Sequence, residues 1–351
     1  MPTPANTIGL YDTGRMLNVL EQLPPAPTFL RNTFFSNVIN HDTDTIAIDI
    51  VKGGRRVTPY IRPVQEGVVM DRGGHTTNAY KIPYIRVKRQ SNADMYMSRT
   101  AGEGIFGTLT PAQRAAKELV DDFAELSANI DAEEERQAAE LIFTAKVTIR
   151  NENGEAFENI SFEHTNVDTL TGTAKFSDPS QNFNTVLEYL RKTRKSITVT
   201  GAPSPNHIAV APDVGDVLIK IFNPADKNSM ISSIRADRGQ IDIRNLPDGI
   251  TYIGYFAELG CDIYSYDGTY LDLDNVVKPY APQGYLSMLS TNARFDRNYG
   301  AIKNYHGNFV SVSRFPHSWI ENDGRGRMVQ VESAPLLALH QVDALAIRKV
   351  M

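Results

Sequence analysis

The sequence predicts an α+β fold in two lobes, on three observations. Apolar residues alternate with a period of two on either side of two glycine pairs between Thr45 and Lys88, the mark of a long β-hairpin. A capped apolar stripe then runs from Thr110 to about Ala145, which at the helical rise is about 50 Å, longer than an ordinary globular helix. Helices and strands alternate from about 182 to 290, the pattern of an α/β lobe. A length of 351 residues fits two such lobes.

Taken in order, residues 1–44 form an arm. A short amphipathic piece from Arg15 to Leu23 gives way to Pro24, Pro25 and Pro27, whose fixed φ and missing donors favour extended backbone. Phe29, Leu30, Phe34 and Phe35 follow as apolar anchors that a disordered tail would not carry, so the arm is expected to dock. In the hairpin, TIAIDIV puts Ile46, Ile48 and Ile50 on one face and YKIPYIRVKR alternates again, while VKGGRR and DRGGHTT demand turns.

Thr110-Pro111-Ala112-Gln113 is a helix start. The threonine and glutamine side chains can cap each other's amides, and proline sits where its missing donor costs nothing. Leu119, Phe123, Leu126 and Ile130 follow on one stripe, and Leu141 resumes it after a polar interruption. AKVTIRNENGEAFENISF reads as a second hairpin turning at Asn153-Gly154. A helix from Asn182 to Lys195 is expected to turn Val186, Leu187 and Leu190 inward; strand HIAVA, a helix from Val214 to Phe222, and strands TYIGYFAEL and YLSML follow. From Tyr299 to Val350 the pattern returns to β with FVSVS, MVQVESA and LLALHQV, around a turn at Asp323-Gly324.

Composition removes several function classes. One cysteine, Cys261, cannot form an internal disulfide or a cysteine-based zinc site. A net charge of −5 argues against a chain devoted to gripping phosphate. No apolar run reaches the roughly 18 residues of a membrane span, and the first residues lack a secretory pattern, so a soluble, unexported chain is expected. The glycines from Gly102 to Gly107 match the spacing of a dinucleotide loop, but a half-polar segment precedes them and a long acidic helix follows, so a hinge is the better reading.

The histidines at 41, 75, 164, 207, 306, 317 and 340 show no ligand spacing. Asp262, Asp267, Asp272 and Asp274 lack the glycine and glutamate of a calcium loop and read as turn residues. Arg191, Lys192, Arg194 and Lys195 sit near a helix C-terminus, where cations complement the dipole. No catalytic, cofactor-binding or metal-binding residue is assigned.

Charge is segregated along the chain. From Lys52 to Arg99 ten bases face three acids, a balance of +7, whereas from Arg114 to Glu140 nine acids face three bases, a balance of −6. A hairpin this long has two edges and little core of its own, so it needs a surface to lie on. An acidic helix face supplies one, either in the same chain or, as a heterologous contact, in a second copy. Exposed pairs contribute only about 0.2–1 kcal/mol each, so charge would select register and partner while repetition and apolar burial supply the energy.

This order of parts resembles the major capsid protein of tailed phages, the Hong Kong 97-like fold, and within it the lambda-type major head protein family. The resemblance is carried by FLRNTFF, by VTPYIRPVQEG followed by DRGGHTTNAY, and late in the chain by Asn298-Tyr299-Gly300-Ala301-Ile302, Arg314-Phe315-Pro316-His317-Ser318-Trp319 and Glu332-Ser333-Ala334-Pro335-Leu336-Leu337. It implies an arm over 1–44, an extended hairpin loop over 45–100 and a peripheral domain with a spine helix over 101–181. It further implies an axial domain over 182–297 and a return to the peripheral sheet over 298–351.

The family's function would make the chain a non-enzymatic shell subunit forming hexamers and pentamers of an icosahedral head around double-stranded DNA. Copies of itself, a separate scaffolding protein, a portal and a decoration protein are the expected partners, with only weak, non-specific contact to packaged DNA and none to a membrane. Its place is the virion, assembled in the bacterial host cytoplasm. The expected contact between copies joins Lys52, Arg55, Arg56, Arg62, Arg72, Lys88 and Arg89 of the hairpin to Glu118, Asp121, Asp122 and Glu125 of the helix, with Phe29, Phe34 and Phe35 anchoring the arm. Two other readings remain at this point: a two-lobe hydrolase using carboxylates from Asp262 to Asp274, and another virion module such as a fibre.

Overall fold

The long helix organises everything around it. In the computed structural model the described residues are 28–51, 75–97, 110–222, 240–246, 249–304, 310–321 and 326–351, with isolated positions at 58, 60 and 66. The chain enters through a short helix α1 (Phe29–Phe34) and strand β1 (Asn37–Asn40), then forms β2 (Thr45–Val51) and β3 (His75–Lys81), paired antiparallel from Thr45↔Lys81 to Val51↔His75. Strand β4 (Ile85–Asn92) and a single helical turn α2 (Ala93–Met97) precede α3 (Pro111–Thr144).

Helix α3 has the predicted ends. Gln113 N–H donates to the Thr110 hydroxyl at 3.3 Å, and Thr110 N–H donates to the Gln113 side-chain oxygen at 2.9 Å. The helix stops at Ala145, whose left-handed φ of 54° lets its N–H reach the Leu141 carbonyl at 2.9 Å. The chain then turns through β5 (Lys146–Arg150) and β6 (Ala156–Ser161) around Gly154, whose φ of +80° requires glycine. The Asn151 side chain holds this turn by accepting from the Asn153 and Glu155 amides.

A short strand β7 (Val167–Thr169) leads to α4 (Phe183–Val199), capped by the Asn182 side chain, which accepts from the amides of Asn184 and Thr185. Next come β8 (His207–Val210), α5 (Pro212–Phe222), β9 (Gln240–Leu246), β10 (Ile250–Phe256), β11 (Cys261–Tyr266) and the small hairpin β12 (Thr269–Leu271) with β13 (Val277–Pro279). Strands β14 (Tyr285–Leu289), β15 (Phe295–Tyr299), β16 (Phe315–Ile320), β17 (Gly326–Ser333), β18 (Pro335–Leu339) and β19 (Leu345–Lys349) complete the chain.

Three sheets matter. A seven-stranded mixed sheet runs β7-β19-β14-β8-β11-β10-β9, with α4 and α5 packed on it through Val186, Leu187, Leu190, Val214 and Leu218, all buried. A three-stranded sheet β1-β15-β18 ties the arm to the body, β1 lying parallel to β15. A second three-stranded sheet β16-β17-β4 lies on the N-terminal half of α3, where Leu119, Phe123, Leu126 and Ile130 pack against Val329 and Val331. The C-terminal half of α3 enters the main core with Leu141, Ile142 and Phe143, none of which is exposed.

Three sequence expectations change. Strand β4 leaves the hairpin, because Val87 and Arg89 pair in register with Val331 and Val329 over the helix; among the described residues the loop comprises only β2 and β3. The terminal strands do not all return to one sheet. Strand β19 joins the large sheet between β7 and β14, where Leu345, Ala346 and Ile347 complete its core. Of FVSVS, the described residues Val310 to Ser313 form no strand, since their polar groups are used elsewhere: Ile302 N–H donates to Val310 O, Ser311 to His41 O, and Ser333 to Ser313 O.

Candidate assembly interface

Strand alternation sorts the bases of the hairpin region. Along β4, Ile85, Val87, Arg89 and Ser91 turn towards α3, while Arg86, Lys88 and Gln90 turn outward and are exposed. Arg89 is therefore taken inside its own chain: Nη1 donates to Asp122 Oδ1 at 3.1 Å and Nη2 to Glu125 Oε1 at 2.5 Å. These hydrogen bonds, Glu125's first, hold the guanidinium above its usual range, and Arg89 holds the Glu125 carboxyl below its own. Asp122 is 2% exposed, so it cannot serve a neighbour. This corrects the expectation that Arg89, Asp122 and Glu125 meet across a boundary between copies.

Replacing Arg89 by alanine is expected to cost about 1–3 kcal/mol in denaturant unfolding, because among the described residues Asp122 is left buried with Ser91 as its only other hydrogen-bond partner, at 3.4 Å. Lys88→Ala, on the outward face of the same strand, should leave unfolding within about 0.5 kcal/mol of the unaltered chain.

The remaining acids of α3 divide sharply. Glu133 and Glu140 grip Arg136 at 2.6 and 2.5 Å. Asp131 and Glu134 bind Arg31 of α1 at 2.5 and 2.7 Å, and both bind Arg314 at 2.8 Å. Tyr299 donates to Glu134, which has no exposure, and burial together with that carboxylate pushes the phenol up to about 12. Burial works against the charge on Arg31, but Glu134 and Asp131 outweigh it and hold the group above its usual range.

Glu135 supplies what the arm helix lacks. Thr28, at the N-cap of α1, makes no side-chain cap hydrogen bond. Instead the Leu30 and Arg31 amides donate to the two oxygens of Glu135 at 2.9 Å each, and the Tyr266 hydroxyl donates to one of them at 2.7 Å. A carboxylate more than a hundred residues downstream therefore caps the arm. The expected anchors are seated by it: Phe34 and Phe35 are buried, and Phe29 lies 5.3 Å from Tyr264.

Burial, only partly offset by these hydrogen bonds, raises the Glu135 carboxyl above its ordinary 4.5. Asp296, which accepts from Asn37 of β1 at 2.8 Å and lies 3.0 Å from His340, shifts the other way: burial pushes it up, but those partners win and hold it below 3.8. The two acids should then give opposite pH slopes. Relative to Asp296→Asn, the unaltered chain should lose stability as pH falls through the region below about 4; relative to Glu135→Gln, it should lose stability as pH rises above about 4.5. Urea unfolding of all three proteins across pH 3 to 7 checks both signs.

Only Glu118 and Asp121 are left among the acids of α3. Asp121 is exposed, Glu118 is half-buried, and among the described residues neither meets a base. Lys52, Arg55, Arg56, Arg62 and Arg72 lie outside the described residues, as do Arg15 to Leu23, the three prolines, His306, the Gly102 to Gly107 motif and Asp323-Gly324.

The aspartates named for a hydrolase are dispersed in role. Asp262 accepts from Tyr252, Asp267 from Ser265, and Asp272 and Asp274 share Lys278. Burial raises Asp272, but Lys278, the Leu273 amide and Arg150 bring it below its usual value, the reverse of what a general acid requires. Arg191 pairs with Glu258, Lys192 lies 3.2 Å from Glu188 and Arg194 donates to the Ser204 hydroxyl at 3.2 Å, so three of the four bases of that run have partners in their own lobe. Cys261 is buried, and desolvation pushes its thiol up to about 12.

Residues 12–350 match the family Phage major capsid protein E. The major capsid protein of Enterobacteria phage P21 is 24% identical over 362 residues, covering 98% of this chain and 100% of that one. The major capsid protein of Escherichia phage lambda is 23% identical over 354 residues, covering 96% and 98%. In structure, a prophage capsid protein from Escherichia coli CFT073 superposes with a TM-score of 0.70 at 19% identity over 97% of this chain and 99% of its own. The capsid of cyanophage P-SCSP1u gives a TM-score of 0.50 at 10% identity over 99% and 92%. The fold is the Hong Kong 97-like capsid fold, and the relatives are structural proteins of phage heads. With the match spanning nearly the whole chain, this protein belongs to the phage major capsid protein E family and is a shell subunit of a tailed-phage head.

Proposed function

We propose that copies of this chain close into the hexamers and pentamers of an icosahedral head by laying the basic hairpin across the long helix of a neighbour at Glu118 and Asp121. The observation that carries this reading is the division of the helix acids: seven of nine are satisfied internally, and the two that remain sit on the N-terminal half of α3. Lys52, Arg55, Arg56, Arg62 and Arg72 are its basic counterpart, and Lys88, outward on β4, extends that charge. A heterologous contact of this kind closes into rings. The reading extends to a scaffolding protein, a portal and a decoration protein as partners in the bacterial host cytoplasm, which the family resemblance supports. Weak contact with the packaged double-stranded DNA is supported by the net charge of −5.

Changing Arg55, Arg56 and Arg62 to glutamate should lower the assembled fraction by roughly tenfold or more, three charge reversals against two acids repeated at every contact. The monomer's circular dichroism should be unchanged. Adding Glu118→Lys and Asp121→Lys should restore shells seen by electron microscopy; failure to restore them would place the hairpin on another surface.

A further inference from the structure

A shell needs two kinds of contact. A heterologous contact returns a ring to its start and holds nothing beyond it, so rings join only through a further surface, and where two rings meet across a two-fold axis that surface must fit a copy of itself. It has to offer apolar area and carry no net charge that would repel its twin.

We propose that the hairpin β12–β13 is this surface and meets the same hairpin of a second copy in a neighbouring ring, which presupposes the ring closure proposed above. Its antiparallel register sets Leu271 opposite Val277 and Thr269 opposite Pro279, all four exposed on one face. Leu271 is 65% and Val277 63% exposed, and the turn between them adds Leu273 at 60% and Val276 at 53%. Four aliphatic side chains within residues 271–277 make a patch of roughly a few hundred Å², the size that marks an interaction site on a soluble protein.

The patch is held ready. On the other face of the hairpin Tyr270 packs on Tyr280 at 4.9 Å, and the Tyr280 hydroxyl donates to the Ala132 carbonyl of α3 at 3.5 Å. The turn is closed by the Asp272 amide donating to Val276 O at 3.0 Å, by the Val276 amide donating to the Asp274 side chain at 3.0 Å, and by Asn275 in the left-handed region at φ 58°.

It is also neutral. Asp272 lies 2.8 Å from Arg150 and 2.5 Å from Lys278, and Lys278 holds Asp274 at 2.7 Å, so two acids meet two bases within one copy. Two such hairpins can approach without like-charge repulsion. Exposed Glu152 and Glu155 flank Gly154 beside Leu273, which sets the axis at the Leu271 and Val277 pair instead. A stable pair of proteins needs roughly 800 Å² from each partner, more than this hairpin offers, so the contact is weak between monomers and acts where rings present several copies together. Rings would then close before shells.

In the full-length chain, Leu271→Asp with Val277→Asp places four carboxylates at the axis. Rings of unchanged size should still form under the electron microscope and the monomer's circular dichroism should be unchanged, while the closed-shell fraction falls at least roughly tenfold. Shells at the unaltered level, or loss of the rings as well with native circular dichroism, would each overturn the proposal. Val277→Cys alone checks the contact directly, since Cys261 is buried and does not react. A short bismaleimide should convert its shells to covalent dimers, and shells that stay monomeric under it would also overturn the proposal. Ring closure itself fails separately, if the unaltered chain forms no rings; dimers captured through Val277→Cys at high concentration would still report the two-fold contact.

Discussion

Glu134→Ala is expected to destabilise the folded chain by about 3–5 kcal/mol in denaturant unfolding, the cost of stranding buried charge. The carboxylate has no solvent exposure and lies between Arg31 and Arg314, at 2.7 and 2.8 Å, under the Tyr299 hydroxyl. Alanine would leave two guanidinium groups to share Asp131 alone. Removing the set together is a different experiment. Glu134→Leu with Arg31→Met and Arg314→Met exchanges charges for apolar volume, and it should cost less than the single substitution. If the single substitution cost under about 1 kcal/mol, water or a rearranged Asp131 would be doing the work assigned here to Glu134.

Glu135→Ala should rank second, at about 2–4 kcal/mol, because it removes the cap of α1, to which the Leu30 and Arg31 amides donate, and the acceptor of the Tyr266 hydroxyl hydrogen bond. Its signature is local. Hydrogen exchange should accelerate first at residues 29–35, since Phe34 and Phe35 hold the arm only while α1 is formed, and trypsin should then reach Arg31. Uniform acceleration across α3 and the large sheet would show instead that Glu135 supports the whole core.

Much of the fold is legible in the sequence because local rules and burial agree. Thr110 and Gln113 mark the start of α3, Gly154 marks a turn, and Val186, Leu187 and Leu190 face the core as their spacing predicts. Sheet membership is less legible. Strand β4 reads as a hairpin strand because alternation identifies a strand without naming its partner, and only Val87 against Val331 shows which sheet it joins. Strands β11, β16 and β19 are not individually legible, since CDIYSY, FPHSWI and LAIRK mix polar and apolar residues on both faces.

The arm junction was present in the sequence as a defect in a pattern. The apolar stripe of α3 breaks between Ile130 and Leu141, and Glu134 stands one turn after Ile130 on that stripe. A carboxylate on a buried face calls for cations, but nothing local identifies Arg31 and Arg314, which lie 103 and 180 residues away. For the same reason the −6 of the helix overstates the charge available to a neighbour. Most of it is internal, and among the described residues the helix acids without a basic or capping partner reduce to Glu118 and Asp121.

The most direct test of the central claim is a cryo-electron microscopy reconstruction of particles assembled from the purified chain, alone and with a candidate scaffolding protein co-expressed. The account predicts closed icosahedral shells of hexamers and pentamers in which density for residues 52–74 of one copy crosses the N-terminal half of α3 in the next. Monomers that persist at high concentration under both conditions, or shells in which the hairpin lies against its own helix, would contradict it.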